Sequence, residues 1–274
     1  MEEITRSIEN FPHFIEFVFP QSFKKSTPAH HLLAWAERVQ NNKKTATLSA
    51  RKHLKSTLMY AYIMWRLFKT TENEEWLYMS YTEPLSRYHT SNIKKLVRQN
   101  PFFKDYKDLS NAESILKYTL DNTNTFTVQP ASIMRFNRGW HGAGIICDDI
   151  LADPTNELNP TIVNTITNTF FEEVLSLPIE GGEIHLVGTA QHTEDVFFQI
   201  KNKAPSFNWE SYPAISDENN QKTLWPEMFP YTRLVQIRDE EIGEKAFNKE
   251  YQCSPVWSEE AYFKREQIQH AVKH

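Results

Sequence analysis

The stretch TLSARKHLKST (47–57) runs from apolar, β-prone residues into a basic turn and closes on Lys55, Ser56 and Thr57. A phosphate-binding loop ends in such side chains. Its backbone N–H groups turn in on the phosphates, its lysine reaches the β- and γ-phosphates, its hydroxyl meets Mg2+, and the helix that follows presents the positive end of its dipole. The glycines that normally permit this close approach are absent, with Ala50 and Leu54 in their slots. A nucleotide site and a plain basic helix start are level readings of these residues taken alone.

A second group tips the balance. Asp148 and Asp149 close the apolar run GIICDD. A carboxylate at the end of a buried parallel strand holds the water shell of Mg2+ beside the phosphates, and an adjacent one orients the attacking water. The competing reading is a pair of strand-end acids that cap the next helix. A third run, HLVGTAQH, carries Gly188 and Thr189 at its end. The Thr189 hydroxyl there suits a sensor of the γ-phosphate, or an ordinary strand exit.

Such chemistry needs a rigid frame, and the sequence supplies alternating elements. Residues 45–50, 76–81, 144–150 and 183–189 read as buried strands. Residues 58–68, 83–100, 160–177 and 194–203 read as helices, the third with a proline at its start, and 115–129 as a hairpin. Strands and helices in this order, with continuous apolar strands, give a parallel sheet covered on both faces, which binds ligands beyond the carboxyl ends of its strands. The tail, from LWPEMFPY (224–231) through a helix over 233–252, reads as a smaller appended element. Arg87, Lys94 and Arg98 fall on one face of the 83–100 helix; a solvated face is favoured there over contact with DNA phosphates.

Composition sets the bounds. The 274 residues, 40% hydrophobic and 13% aromatic, suffice for one substantial core. A net charge of −5 means that any polyanion must be gripped by a local basic face. Cys147 and Cys253 form no metal spacing and no disulfide framework, which fits a reducing setting. The longest apolar run, Leu58 to Trp65, is far short of the roughly 20 residues that cross a bilayer, and the acidic opening lacks a basic export signal. A soluble, unexported protein is expected.

Taken in order, SARKHLKST, GAGIICDDIL, EGGEIHLVGTAQHTEDVF, SYPAI, LWPEMF and FNKEYQCSP resemble the ATPase domain of the large terminase subunit of tailed bacteriophages, the motor that pumps DNA into procapsids. The resemblance covers most of the chain, from about PAHHLLAWAERV to near the end. It implies an α/β fold of the P-loop NTPase type (ASCE, RecA-like): a parallel sheet with helices on both faces, plus a small C-terminal lid or linker subdomain. Residues 1–44 would form a helical segment with Phe19, Gln21 and His31 as candidate adenine contacts, 45–215 the ATPase core, and 216–274 the lid and linker. The nuclease domain of the family is expected to be absent, and with it any DNA cleavage.

The resemblance also implies roles. ATP and Mg2+ would be the cofactors. Nucleotide contacts would come from Arg51, Lys52, His53, Leu54, Lys55, Ser56 and Thr57, with Lys55 as the phosphate lysine and Arg51 reaching the γ-phosphate. Ser56 and Asp148 would hold the metal. Asp149 takes the place of the catalytic carboxylate, often Glu in this family, so its reach is one methylene shorter. Thr189 matches the coupling motif, although Ala190 stands where the family often has arginine. Double-stranded DNA, the portal protein and the small terminase subunit would be partners in the host cytoplasm. The chain would be a monomer alone and a homo-oligomeric ring on the procapsid, with Arg135 or Arg138 as a trans-acting arginine and no role for a membrane. The alternatives are a helicase-like P-loop translocase, against which no second RecA-like domain is found, and a non-enzymatic phage structural protein.

Overall fold

The computed structural model describes residues 2–22, 29–151 and 160–255. In chain order the helices and strands are α1 (Glu2–Glu9), α2 (Phe11–Phe17), α3 (His30–Asn41), β1 (Lys44–Ser49), α4 (Lys55–Lys69), β2 (Glu74–Ser80), α5 (Glu83–Gln99), β3 (Lys107–Asp108), β4 (Leu116–Thr119), β5 (Phe126–Ser132), β6 (Gly142–Asp148), α6 (Pro160–Glu172), β7 (Pro178–Gly188), α7 (Val196–Lys203), β8 (Asn208–Tyr212), β9 (Ile215–Asp217), β10 (Lys222–Thr223), α8 (Tyr231–Gln236) and α9 (Gly243–Glu250).

Eight strands form one sheet in the order β3-β4-β5-β2-β6-β7-β1-β8. Every pairing from β5 to β8 is parallel, and only the β3 and β4 edge is antiparallel. One strand, β7, separates β1 from the acidic strand β6. Side chains alternate across the pleat, so each strand serves two cores. Ile146, Trp76, Tyr78 and Val187 face the core shared with α2 to α5, while Ile145, Cys147, Leu77, Met79, Ile184 and Leu186 face α6 and α7. A third, smaller cluster gathers Phe229, Leu234, Ile237, Phe247 and Tyr251 around Ala50 and Ala214, so the C-terminal segment packs on the turn after β1.

Helix boundaries follow local chemistry. Thr82 caps α5 and Asp195 caps α7, each accepting a backbone N–H with its side chain. The expected helix over 160–177 stops at Glu172 and gives way to a 3-10 turn, Val174–Ser176. The expected helix over 233–252 is interrupted: after α8 comes a π-helical turn, Ile237–Ile242, and Gly243 at φ 77 resets the chain before α9. The hairpin is present as β4 and β5, with β5 also pairing along β2. Strand β8 and the short β9 and β10 pair were not anticipated. The closing stretch of the expected linker, 256–274, lies outside the described residues.

The shared basic face of α5 is corrected. Lys94 is buried, its ammonium donating to the carbonyls of Ser110, Ala112 and Ile115 at 2.8–3.1 Å, with Asp108 at 3.0 Å. Arg98 pairs with Glu113 and Asp108, and Arg87 with Glu83. These cations tie α5 to the 108–115 loop and to its own first turn, so they present no common phosphate-binding face.

Candidate functional site

Strand β1 delivers the chain to the carboxyl edge of the sheet, where Ala50 to Leu54 turn it into α4. Two residues of this turn take the left-handed conformation, Lys52 at φ 65 and Leu54 at φ 68. These are conformations that glycine adopts freely and that cost an L residue roughly 1–2 kcal/mol. The missing glycines are thus replaced by strain. Leu54 precedes the first helical residue without any side-chain cap, leaving the first N–H groups of α4 uncapped by it.

Neighbouring elements hold the turn in this shape. Ala50 N–H donates to Tyr212 O at 3.1 Å and Arg51 N–H to Glu250 O at 2.7 Å. His53 is buried against Phe229, their rings stacked at 4.7 Å. Burial lowers the His53 imidazole to about 4. The neutral ring is 2.9 Å from the Arg51 carbonyl, while His31 Nε2 lies 3.0 Å from the His53 carbonyl. His53 therefore turns its side chain into the C-terminal cluster as a plug, and His31 is brought onto the same turn. Phe19 and Gln21 are not: they follow Val18, whose carbonyl accepts from Asn100 just beyond the C-terminal end of α5. That is the edge of the sheet opposite Lys55, so these two adenine candidates are set aside.

Lys55 and Ser56 open α4 facing the end of β6. Lys55 is buried, and its Nζ lies 3.8 Å from Asp149 Oδ2. Ser56 Oγ donates to Asp148 Oδ1 at 3.1 Å. Asp148 has no exposed surface; its other oxygen accepts from the Tyr78 hydroxyl at 2.5 Å and lies 3.8 Å from His89 Nδ1. Burial, the largest influence, pushes the Asp148 carboxyl up; His89 opposes this, Asp149 adds to it, and the Tyr78 hydroxyl and Lys55 oppose it in turn. Asp149 itself adopts φ 50, donates its N–H to Val187 O at 3.0 Å, and reaches over Gly188, where a Cβ would meet its Oδ1 at 3.3 Å.

Thr189 is buried one residue past β7, beside the acidic pair. The loop after it is folded around Asp195, whose carboxylate accepts from the N–H groups of Gln191, His192 and Phe197 at 3.0–3.3 Å. Arg51 and Lys52 are exposed, and Arg51 Nη1 lies 3.3 Å from Glu250 Oε2. Thr57 is half-buried on the first turn of α4. Arg135 and Arg138 lie on the loop between β5 and β6, Arg135 bridging Ser132 at the carboxyl end of β5 and Arg138 pairing with Glu173 at 2.8 Å. Tyr78, His89 and Glu250 were missed from sequence; an aromatic in an apolar strand reads as core, and nothing local ties Glu250 to Arg51.

The donor set can be matched to its ligands. Ser56 and Asp148 offer hard oxygens, and Asp148 is a buried carboxylate with no lysine or arginine in direct contact among the described residues. Two such oxygens suit a magnesium ion, which binds few protein groups and would take its other ligands from water and phosphate. Among the described residues no group of three or more His, Cys, Asp or Glu could hold a metal by protein ligands alone. Nor is any described helix long and apolar enough to cross a membrane.

No protein-family model matches the sequence, and no curated protein sequence matches it. Solved structures do match. The large terminase ATPase domain of Thermus phage P74-26 superposes with a TM-score of 0.57 at 15% identity, over 84% of this chain and 94% of that one. The large terminase of bacteriophage HK97 gives 0.55 at 17% identity, over 96% and 53%. That of a thermophilic bacteriophage, in complex with ADP, gives 0.51 at 12% identity, over 93% and 53%. The chain thus spans about half the length of the latter two proteins. Its fold is that of a phage large terminase ATPase domain, an α/β P-loop core.

Proposed function

We propose that this chain is the ATP-hydrolysing motor domain of a phage DNA-packaging terminase. The observation that carries the reading is the meeting of Lys55 and Ser56 with Asp149 and Asp148, across the strained turn that opens α4. The fold likeness and the ADP named with the thermophilic phage terminase support it.

The first N–H groups of α4 and the Lys55 ammonium would bind the phosphates of ATP, and Ser56 Oγ with Asp148 Oδ1 would hold Mg2+. When bound, the metal would neutralise charge that develops on the phosphates. Asp149 would orient a water molecule for in-line attack on the terminal phosphorus. Arg51, paired with Glu250 here, would exchange that partner for the terminal phosphate. Thr189, beside the acidic strand and ahead of the loop built on Asp195, would relay loss of the γ-phosphate to α7. His31 is the remaining adenine candidate.

On this reading 45–215 is the motor core, and the segment from 216 is a lid gripping the turn through Glu250, Phe229 and Tyr251. The substrate moved would be double-stranded DNA in the host cytoplasm. The assembly would be a homo-oligomeric ring on the portal, fed by the small terminase subunit, and the isolated chain would be a slow ATPase. Arg135 or Arg138 would serve a neighbouring subunit's site.

The test is steady-state ATP hydrolysis by the parent, Lys55→Ala and Asp148→Ala chains, with and without portal-bearing procapsids. Both variants are expected to lose about two orders of magnitude or more, and the parent to be stimulated by procapsids. A parent rate no higher than either variant defeats the enzymatic reading. Stimulation by duplex-unwinding substrates in place of procapsids would favour the helicase-like alternative.

A further inference from the structure

The two oxygens of Asp148 are held differently. Oδ1 meets Ser56 at the opening of α4. Oδ2 sits at the end of a chain of rings: the Tyr78 hydroxyl donates to it at 2.5 Å, the Tyr78 ring stacks on His89 at 5.3 Å, and the Tyr60 hydroxyl lies 2.6 Å from His89 Nδ1. Three elements contribute, with Tyr60 on α4, Tyr78 on β2 and His89 on α5. Among the described residues His89 Nε2 has no hydrogen-bond partner, so the imidazole makes its polar contacts through Nδ1 alone.

A carboxylate free to rotate presents either oxygen, or both, to a cation. One whose rear oxygen is fixed by a short bond from a buried phenol presents one oxygen in one direction. Ser56 and Tyr60 are four residues apart, hence on one face of α4. The same helix therefore reaches Asp148 twice, directly at Oδ1 and through His89 and Tyr78 at Oδ2.

We propose that Tyr78, braced by His89 and Tyr60, is a positioning residue that aims Asp148 Oδ1 at the divalent cation accompanying the nucleotide. The inference rests on the nucleotide-site reading above. Partners behind a metal ligand typically change metal affinity 10–100-fold when removed, whereas a tyrosine that merely fills the core would leave that affinity alone.

The experiment is titration of ADP into parent and variant chains, once with Mn2+ and once with EDTA, with Mn2+ electron paramagnetic resonance reporting the bound ion. Tyr78→Phe deletes one oxygen and keeps the ring. It is expected to weaken ADP binding about tenfold in Mn2+, to leave binding in EDTA unchanged, and to alter the spectrum of the bound ion. Tyr60→Phe, which does not touch Asp148, is expected to act in the same direction by about threefold, and it decides the matter should Tyr78→Phe fail to fold. Affinities in Mn2+ equal to the parent's, while Lys55→Ala abolishes binding, overturn the clamp and leave the nucleotide site standing. A parent that binds no ADP under either condition removes both.

Discussion

The strands β6 and β7 place one carboxylate toward each edge of the sheet, the half-buried Glu183 and the fully buried Asp148, and the two are treated in opposite ways. At the amino end Glu183 pairs with Arg66 at 2.7 Å, lies 3.3 Å from His185 and accepts from the Tyr62 hydroxyl. The same arginine holds Glu74 at 3.1 Å, which also accepts from Trp76 and Thr70. Burial, the largest influence, raises Glu183, yet His185, Arg66 and Tyr62 together outweigh it and bring its carboxyl down to about 2. At the carboxyl end Asp148 has hydroxyl partners and no arginine, Lys55 lies against Asp149, and burial leaves the Asp148 carboxyl raised. One acid is satisfied by charged partners of the protein, and on the proposed reading the other would be left for a cation to satisfy. On that reading stability would reside at the first end and binding at the second.

The sharpest way to break this contrast is to remove the positive partner at one end and the negative charge at the other. Arg66→Met strands two carboxylates, the buried Glu74 and the half-buried Glu183, and is expected to cost roughly 3–5 kcal/mol in urea denaturation. Asp148→Asn, by contrast, is expected to leave stability unchanged or raise it by up to about 2 kcal/mol, while cancelling nucleotide-dependent Mn2+ binding. Equal losses in the two variants would show that the ends do not differ.

Acid provides the next test. The Glu183 carboxyl is depressed on folding from an ordinary 4.5 to about 2, so its contribution, about 3 kcal/mol, is present above pH 4.5 and lost as pH falls toward 2. A Glu183→Gln chain should be less stable at pH 7 and should show a shallower decline over that window. Parallel declines in the two proteins would place the acid sensitivity elsewhere.

A smaller effect is expected from closing the space beside Asp149. A Cβ on Gly188 would stand 2.9 Å and 3.0 Å from the buried ring of Phe197 and 3.3 Å from Asp149 Oδ1. Gly188→Ala should therefore cost about 1–3 kcal/mol and displace the Asp149 carboxylate, lowering ATP hydrolysis more than ADP affinity. A loss of affinity without loss of rate would argue that Asp149 serves binding only.

Much of the frame was legible because buried parallel strands are continuous apolar runs, and because Lys55, Ser56 and the two aspartates each follow one. What the sequence hid has common causes. Tyr78 and His89 sit inside stretches whose apolar pattern reads as packing, and their polar work depends on partners from other elements. Strand β8, NWESY, is half-buried or exposed throughout and shows no apolar run. Lys94 lies on a helical face that reads as solvated until the 108–115 loop closes over it. Gly243 breaks a helix whose apolar spacing continues on either side of it.

The last and smallest effect concerns where strain is kept. Of the positive-φ residues other than glycine among those described, Lys52, Leu54 and Asp149 belong to the candidate site, Cys253 follows α9 against the Tyr212 carbonyl, and Asn122 and Gln221 lie in turns between paired strands. Asparagine tolerates the left-handed conformation, so Asn122 stores little; lysine does not. Lys52→Gly removes a conformational cost of roughly 1–2 kcal/mol and adds about 0.5–1 kcal/mol of chain entropy lost on folding. The exposed Lys52 side chain gives up little packing. The chain should gain about 0.5 kcal/mol, and Asn122→Gly, given the same change, should gain nothing. If both gain equally, the turn before α4 is no more strained than a hairpin tip, and the absence of glycine there has cost the protein nothing.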